Sequence, residues 1–102
     1  MRYTGQFTSW RKGITPDDLR NRIDQIKDPE VKRTTACIVF WDFYGDLTRS
    51  QIDQTELDYY NPYMDEAVAD PPQRQLESAL VWIGYPRRLA RARSQSEARR
   101  VR

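Results

Sequence analysis

The chain has 102 residues, of which 31% are charged, and its net charge is +2. A chain of this length corresponds to one domain. Its single cysteine excludes an internal disulfide, and because histidine is also absent, the sequence excludes a zinc site of the usual Cys/His type and lacks the commonest general base of enzymes.

The sequence carries no recognised catalytic motif. It contains no dinucleotide-binding glycine motif, no P-loop and no EF-hand loop. Two pairs of carboxylates, Asp42 with Asp46 and Asp65 with Glu66, are close enough in sequence to bind Mg²⁺ or to act as acid and base, but nothing else supports a site there. We therefore expect a non-enzymatic protein with no catalytic residues, no cofactor and no metal.

Residues 1–13 lack helix signals and lack the apolar core of a signal peptide, so we expect a cytoplasmic protein. Three aromatic residues, Tyr3, Phe7 and Trp10, are unusual for a disordered tail. We predict that this segment forms an extended aromatic arm over the helices.

The first helix is predicted from Thr15 to about Lys27. Thr15 suits the N-cap and Pro16 suits the first helical position. Leu19, Ile23 and Ile26 then form an apolar stripe at helical spacing.

The densest apolar run is Ala36–Tyr44, in which eight of nine residues are apolar or aromatic. It is too short to cross a bilayer, which needs about 20 apolar residues, so we expect no membrane association. A helix start at Asp28-Pro29 and a helix stop at Gly45 favour one central helix, although a buried strand fits the run as well. The exception, Asp42, has two interpretations. It is a structural carboxylate, at the rim of the core or paired with an arginine, or it is a buried functional acid with a raised pKa.

Three shorter helices are predicted after Gly45. The first covers Asp46–Tyr60, where Thr48 and Gln51 match a capping box and Ile52, Thr55 and Tyr59 form the inner side. Asn61-Pro62 is predicted to break it and to start a short helix to Ala69. The third covers Gln73–Ile83 and ends at Gly84-Tyr85-Pro86. We expect a mainly α fold, a compact bundle of four or five short helices over residues 14–86, followed by a basic helix or flexible tail over residues 87–102.

Charge is distributed very unevenly along the chain. Residues 42–70 contain eight acidic residues and one arginine, whereas residues 87–102 contain seven arginines and one glutamate. The acidic part is also rich in tyrosine, which favours interfaces. It predicts a protein-binding surface that comprises Tyr59, Tyr60, Tyr63, Asp58, Asp65 and Glu66, with Tyr60 and Tyr63 the most exposed rings.

The arginines of the C-terminal part suit contacts with phosphate groups or with an acidic surface. The candidates for nucleic-acid binding are Arg87, Arg88, Arg91, Arg93, Arg99, Arg100 and Arg102. We expect a non-catalytic binding protein, a subunit or adaptor in a larger assembly, and a homo-oligomer is compatible with the charge layout. The alternatives are a nucleic-acid-binding accessory protein that acts through the arginines, and an acidic inhibitor from a mobile element that imitates phosphates.

Overall fold

The computed structural model describes residues 13–64 and 71–100, with the backbone alone for residues 96–100. This part of the chain contains five α-helices and no strand, so the mainly α prediction is confirmed and the strand alternative for Ala36–Tyr44 is wrong. The predicted aromatic arm lies outside the described residues except for Gly13. The helices are α1 (Pro16–Asp24), α2 (Pro29–Tyr44), α3 (Gln54–Met64), α4 (Gln73–Ile83) and α5 (Arg87–Arg100).

Helix α1 begins as its sequence predicts. The Thr15 side chain accepts a hydrogen bond from the Asp18 backbone N–H, and the Asp18 carboxylate accepts one from the Thr15 N–H, which completes a capping box. Leu19 and Ile23 are buried on the inner side of the helix. The helix ends at Asp24, three residues earlier than predicted, and Ile26 packs against the core from the turn that follows.

Helix α2 is the centre of the molecule, and it contacts α1, α3 and α4. Its start follows from Asp28, whose carboxylate accepts hydrogen bonds from the backbone N–H groups of Glu30 and Val31. Ten of its 16 residues are buried, and they lie on nearly all sides of the helix. A helix with apolar residues all round is expected to be surrounded by other elements, as α2 is.

The segment after α2 differs from the prediction. The capping box of Thr48 and Gln51 is present, but it opens a short 3-10 helix (Arg49–Gln51), and the α-helix begins only at Gln54. Helix α3 also continues through Pro62 to Met64, so the predicted break at Asn61-Pro62 is wrong. Pro62 lacks the N–H that would bond to the Asp58 carbonyl, and its ring crowds that carbonyl. The helix nevertheless continues, with Leu57 and Tyr60 buried against the core.

Helices α4 and α5 form a corner at Gly84. The φ angle of Gly84 is 122°, a conformation that side chains disfavour, so glycine is required where α4 ends. Helix α5 packs along α4, and Ala90 and Ser94 of α5 are fully buried. Within residues 13–64 and 71–100, no helix combines the length and the apolar character that crossing a membrane requires.

Candidate functional site

A buried ion pair attaches the arginine-rich helix α5 to the central helix α2. Asp42 is only 5% exposed, and its Oδ1 atom lies 2.8 Å from Nη2 of Arg93. The Tyr85 hydroxyl donates a hydrogen bond of 2.6 Å to the other oxygen, Oδ2. Of the two interpretations of Asp42, the pairing with an arginine is confirmed, and the carboxylate is buried as well. Because both of its oxygens are bonded inside the protein, Asp42 has a structural role.

This environment strongly perturbs Tyr85. Burial raises the pKa of the Tyr85 hydroxyl well above its ordinary value, because the phenolate would lose its hydration. The negative charge of Asp42 raises the pKa further, whereas the positive charge of Arg93 opposes the rise. Tyr85 therefore stays protonated, and its hydroxyl donates a hydrogen bond to Asp42.

A second buried carboxylate, Glu56 of α3, is also used inside the fold. It forms an ion pair with Arg20 of α1, and its Oε1 atom accepts a hydrogen bond of 3.1 Å from the Tyr44 hydroxyl of α2. Arg20 pairs with Asp17 as well. Glu56 therefore joins three helices, and like Asp42 it does not contribute to an acidic surface.

The tyrosines of α3 lie closer to the core than predicted. Tyr60 is 1% exposed, and its ring centroid lies 5.6 Å from that of Phe40 and 4.8 Å from that of Tyr59. The expectation that Tyr60 is an exposed ring is therefore wrong. The predicted stripe is counted from Ile52, which lies before α3, whereas the buried side of α3 itself consists of Glu56, Leu57 and Tyr60.

The other predicted protein-binding residues are only partly available. Tyr59 and Tyr63 are half-buried, and the Tyr59 hydroxyl donates a hydrogen bond of 2.6 Å to Asp24. The pKa of the Tyr59 hydroxyl is raised, mainly by burial and to a smaller extent by the hydrogen bond to Asp24. Asp58 is exposed and accepts a hydrogen bond of 2.8 Å from Gln54. Asp65 and Glu66 lie outside the described residues. The structure therefore brings Asp58, Tyr59 and Tyr63 to the surface of one helix and buries Tyr60.

The arginines of α5 divide into two groups. Arg87, Arg88 and Arg91 are exposed, whereas Arg93 is held in the ion pair with Asp42. Arg91 pairs with Glu77 of α4 at 3.6 Å, but its side chain remains 68% exposed. The side chains of Arg99 and Arg100, and all of Arg102, lie outside the described part of the chain. We call Arg87, Arg88 and Arg91 the arginine face of α5.

Sequence reasoning missed two exposed tryptophans. Trp41 of α2 is 48% exposed and Trp82 of α4 is 53% exposed. For Trp82 a signal was present, because the apolar stripe of α4, which ends with Leu80 and Ile83, does not include position 82. Among the described residues, no group of three or more acidic or cysteine side chains is arranged to hold a metal ion.

No protein-family model matches this chain, and no curated protein or solved structure shows significant similarity to it.

Proposed function

We propose that this chain is a non-catalytic helical binding protein, a small subunit or adaptor of a larger assembly, and that the arginine face of α5 contacts the phosphate backbone of a nucleic acid. The observation that carries the proposal is the exposure of three arginines on one rigid helix. Neither Arg87 nor Arg88 forms an ion pair with a described residue, and Arg91 is only weakly paired. Arginine is suited to bidentate contacts with phosphate oxygens.

The position of these arginines is not explained by stability. Arg87 and Arg88 are the first two residues of α5, and its first turn contains no acidic residue. The N-terminal end of a helix carries partial positive charge, so cations there destabilise the helix, whereas a bound anion stabilises it. A surface that disfavours the free helix and favours an anionic ligand supports a binding role.

The way in which α5 is attached also supports the proposal. Ala90 and Ser94 are fully buried, and Arg93 is fixed by Asp42. These contacts fix α5 on the rest of the protein, so the exposed arginines project from a packed helix. Contacts on a rigid helix lose less conformational entropy on binding than contacts on a flexible tail.

The test is a comparison of two triple variants with equal loss of charge. In one, Arg87, Arg88 and Arg91 are changed to Gln, and in the control, Lys27, Arg49 and Arg74, which are all exposed, are changed to Gln. Binding to a labelled 20-bp duplex DNA and to a 20-nucleotide RNA is measured between 50 and 300 mM salt. Substitution is preferable to deletion of residues 87–102, because deletion would remove the buried Ala90 and Ser94.

We expect the first variant to lose most of its affinity and the control to retain it. For duplex DNA, the slope of log K against log salt should fall by about 2 to 3, since each neutralised phosphate contributes about 0.9. Equal affinities of the two variants, or no binding of the unmodified protein to either nucleic acid, would overturn the proposal for this surface.

A second candidate is a protein partner that binds exposed carboxylates of α3 and of the segment between α2 and α3. Asp46, Asp53 and Asp58 are exposed and form no ion pair with a described residue, which leaves three carboxylates for a basic partner. The same three carboxylates would be used by an inhibitor that imitates phosphates. If they bind the partner, a tagged form of this protein in which all three are changed to Lys should no longer capture the partner, whereas the triple arginine variant should still capture it.

A further inference from the structure

A groove lies between the end of α1, the start of α2 and the outer side of α4. Its volume is about 520 Å³, and it is widely open to solvent, as a groove on the protein surface. The apolar part of its lining consists of Ile26, Val31, Ala79 and Trp82. The groove does not include any residue of α5, so it is separate from the arginine face.

Trp82 is the most distinctive residue of this groove. Its side chain is 53% exposed, and its Nε1–H donates a hydrogen bond of 3.2 Å to the backbone oxygen of Arg22. The indole has only this one donor, so the polar part of the ring is already satisfied inside the protein. The exposed remainder is apolar and is held in place, which are the properties of an aromatic contact that dominates an interface.

The groove lining carries one cation, Arg74, and one carboxylate, Asp28. Arg74 is exposed and makes no ion pair or hydrogen bond with a described residue. The one acidic residue of the lining, Asp28, caps α2, and its carboxylate accepts hydrogen bonds from two backbone N–H groups. Helix α4 starts beside Arg74 without a side-chain cap, so its N-terminal end adds to the positive potential. The α4 side of the groove, at Arg74, can therefore pair with one anionic group, whereas the α2 side carries the carboxylate of Asp28.

We infer that this groove binds a short peptide segment of a partner protein, in which an aliphatic or aromatic side chain lies next to a carboxylate. The apolar side chain packs on Trp82 and Val31, and the carboxylate pairs with Arg74. The other polar lining residues, Gln25, Gln75 and Ser78, provide donors and acceptors for a peptide backbone. A nucleic acid fits less well, because the groove offers one unpaired cation and places Asp28 beside the ligand.

The test is selection of a phage-displayed library of random 12-residue peptides against the full-length protein. We expect the selected peptides to share an acidic residue next to a large apolar residue. Synthetic copies of them should bind Trp82→Ala about tenfold more weakly than the unmodified protein, which corresponds to the loss of one dominant contact. Arg74→Gln should weaken binding about threefold or more, and because Arg74 is exposed this variant is not expected to disturb the fold.

Two variants control for residue type and exposure. Trp41→Ala removes the other exposed tryptophan, and Arg49→Gln removes an exposed arginine that lies outside both the groove and the arginine face of α5. Both should bind the peptides as the unmodified protein does. Failure to select any peptide, or peptides that bind all four variants equally, would overturn the inference. So would binding of a 12-nucleotide DNA that depends on Trp82, or a dimer that dissociates on Trp82→Ala while no peptide is selected.

Discussion

Arg93 of α5 is bound to Asp42 of α2, with 2.8 Å between Nη2 and Oδ1, and Tyr85 occupies the other carboxylate oxygen. Arg93 belongs to the basic segment 87–102 and Asp42 to the acidic segment 42–70, so one charge of each segment is neutralised by the other inside the protein. Part of the uneven charge distribution therefore stabilises the fold, and only the charges at the surface are available to bind partners.

The first prediction concerns this ion pair. Arg93→Ala should lower the free energy of unfolding by about 2–4 kcal/mol, because it leaves the Asp42 carboxylate buried without its cation. Arg88→Ala, an exposed arginine of the same helix, should change it by less than about 0.5 kcal/mol. Urea denaturation followed by circular dichroism measures both. Equal effects of the two substitutions would contradict a structural role for Arg93.

Several elements of the fold could be predicted because their signals are local. Asp28, Pro29 and Gly45 mark the two ends of α2, and Thr15 and Pro16 mark the start of α1. These residues act on the backbone within one turn of themselves, so a single sequence is sufficient to place them.

The side-chain partners could not be predicted in the same way. Tyr85 and Asp42 are 43 positions apart, and only the path of the chain brings them together. The sequence predicts that Asp42 can pair with an arginine, but it does not identify Arg93 as that arginine. The burial of Tyr60 was missed for a related reason. The predicted stripe is counted from Ile52, which lies before α3, and only tertiary packing selects the side of α3 that carries Leu57 and Tyr60.

The second prediction separates core tyrosines from surface tyrosines. Tyr60→Ala should cost about 3–5 kcal/mol, because it leaves a cavity beside Phe40 and Tyr44. Tyr63→Ala, three residues later on the same helix and half-buried, should cost about 1 kcal/mol. The comparison uses denaturant unfolding of both variants. If Tyr60→Ala is tolerated as well as Tyr63→Ala, the assignment of Tyr60 to the core is wrong.

The third prediction tests the corner between α4 and α5. Gly84→Ala should destabilise the protein by about 1–3 kcal/mol, because a residue with a side chain is strained at a φ angle of 122°. Gly13→Ala is strained as well, because the φ angle of Gly13 is 82°, but no atom lies within 4 Å of the Cβ that it would add, so this variant measures the cost of a positive φ away from packed helices. Melting temperatures of the two variants show whether Gly84 is the more costly position, as expected for a glycine between two packed helices.

The fourth prediction follows from the raised pKa of Tyr85. Above pH 10 the unfolded chain loses the proton of this tyrosine while the folded protein keeps it, so the free energy of unfolding falls as the pH rises. One such group contributes a slope of about 1.4 kcal/mol per pH unit. Tyr85→Phe should remove that contribution and should also lower stability at neutral pH, because Asp42 loses a hydrogen bond. Urea unfolding at several values between pH 9 and 11 measures the slope, and an unchanged slope in Tyr85→Phe would contradict the assignment.

The fifth prediction separates binding from stability at the start of α5. Changing both Arg87 and Arg88 to Glu should raise the free energy of unfolding by about 0.5–2 kcal/mol, because acidic residues there favour the helix dipole and basic residues oppose it. The same double variant should lose affinity for nucleic acid. A higher free energy of unfolding together with a lower affinity is expected only if the two arginines bind a ligand and destabilise the protein when no ligand is bound. A loss of both would mean that the two arginines stabilise the fold, and that the arginine face has no separate binding role.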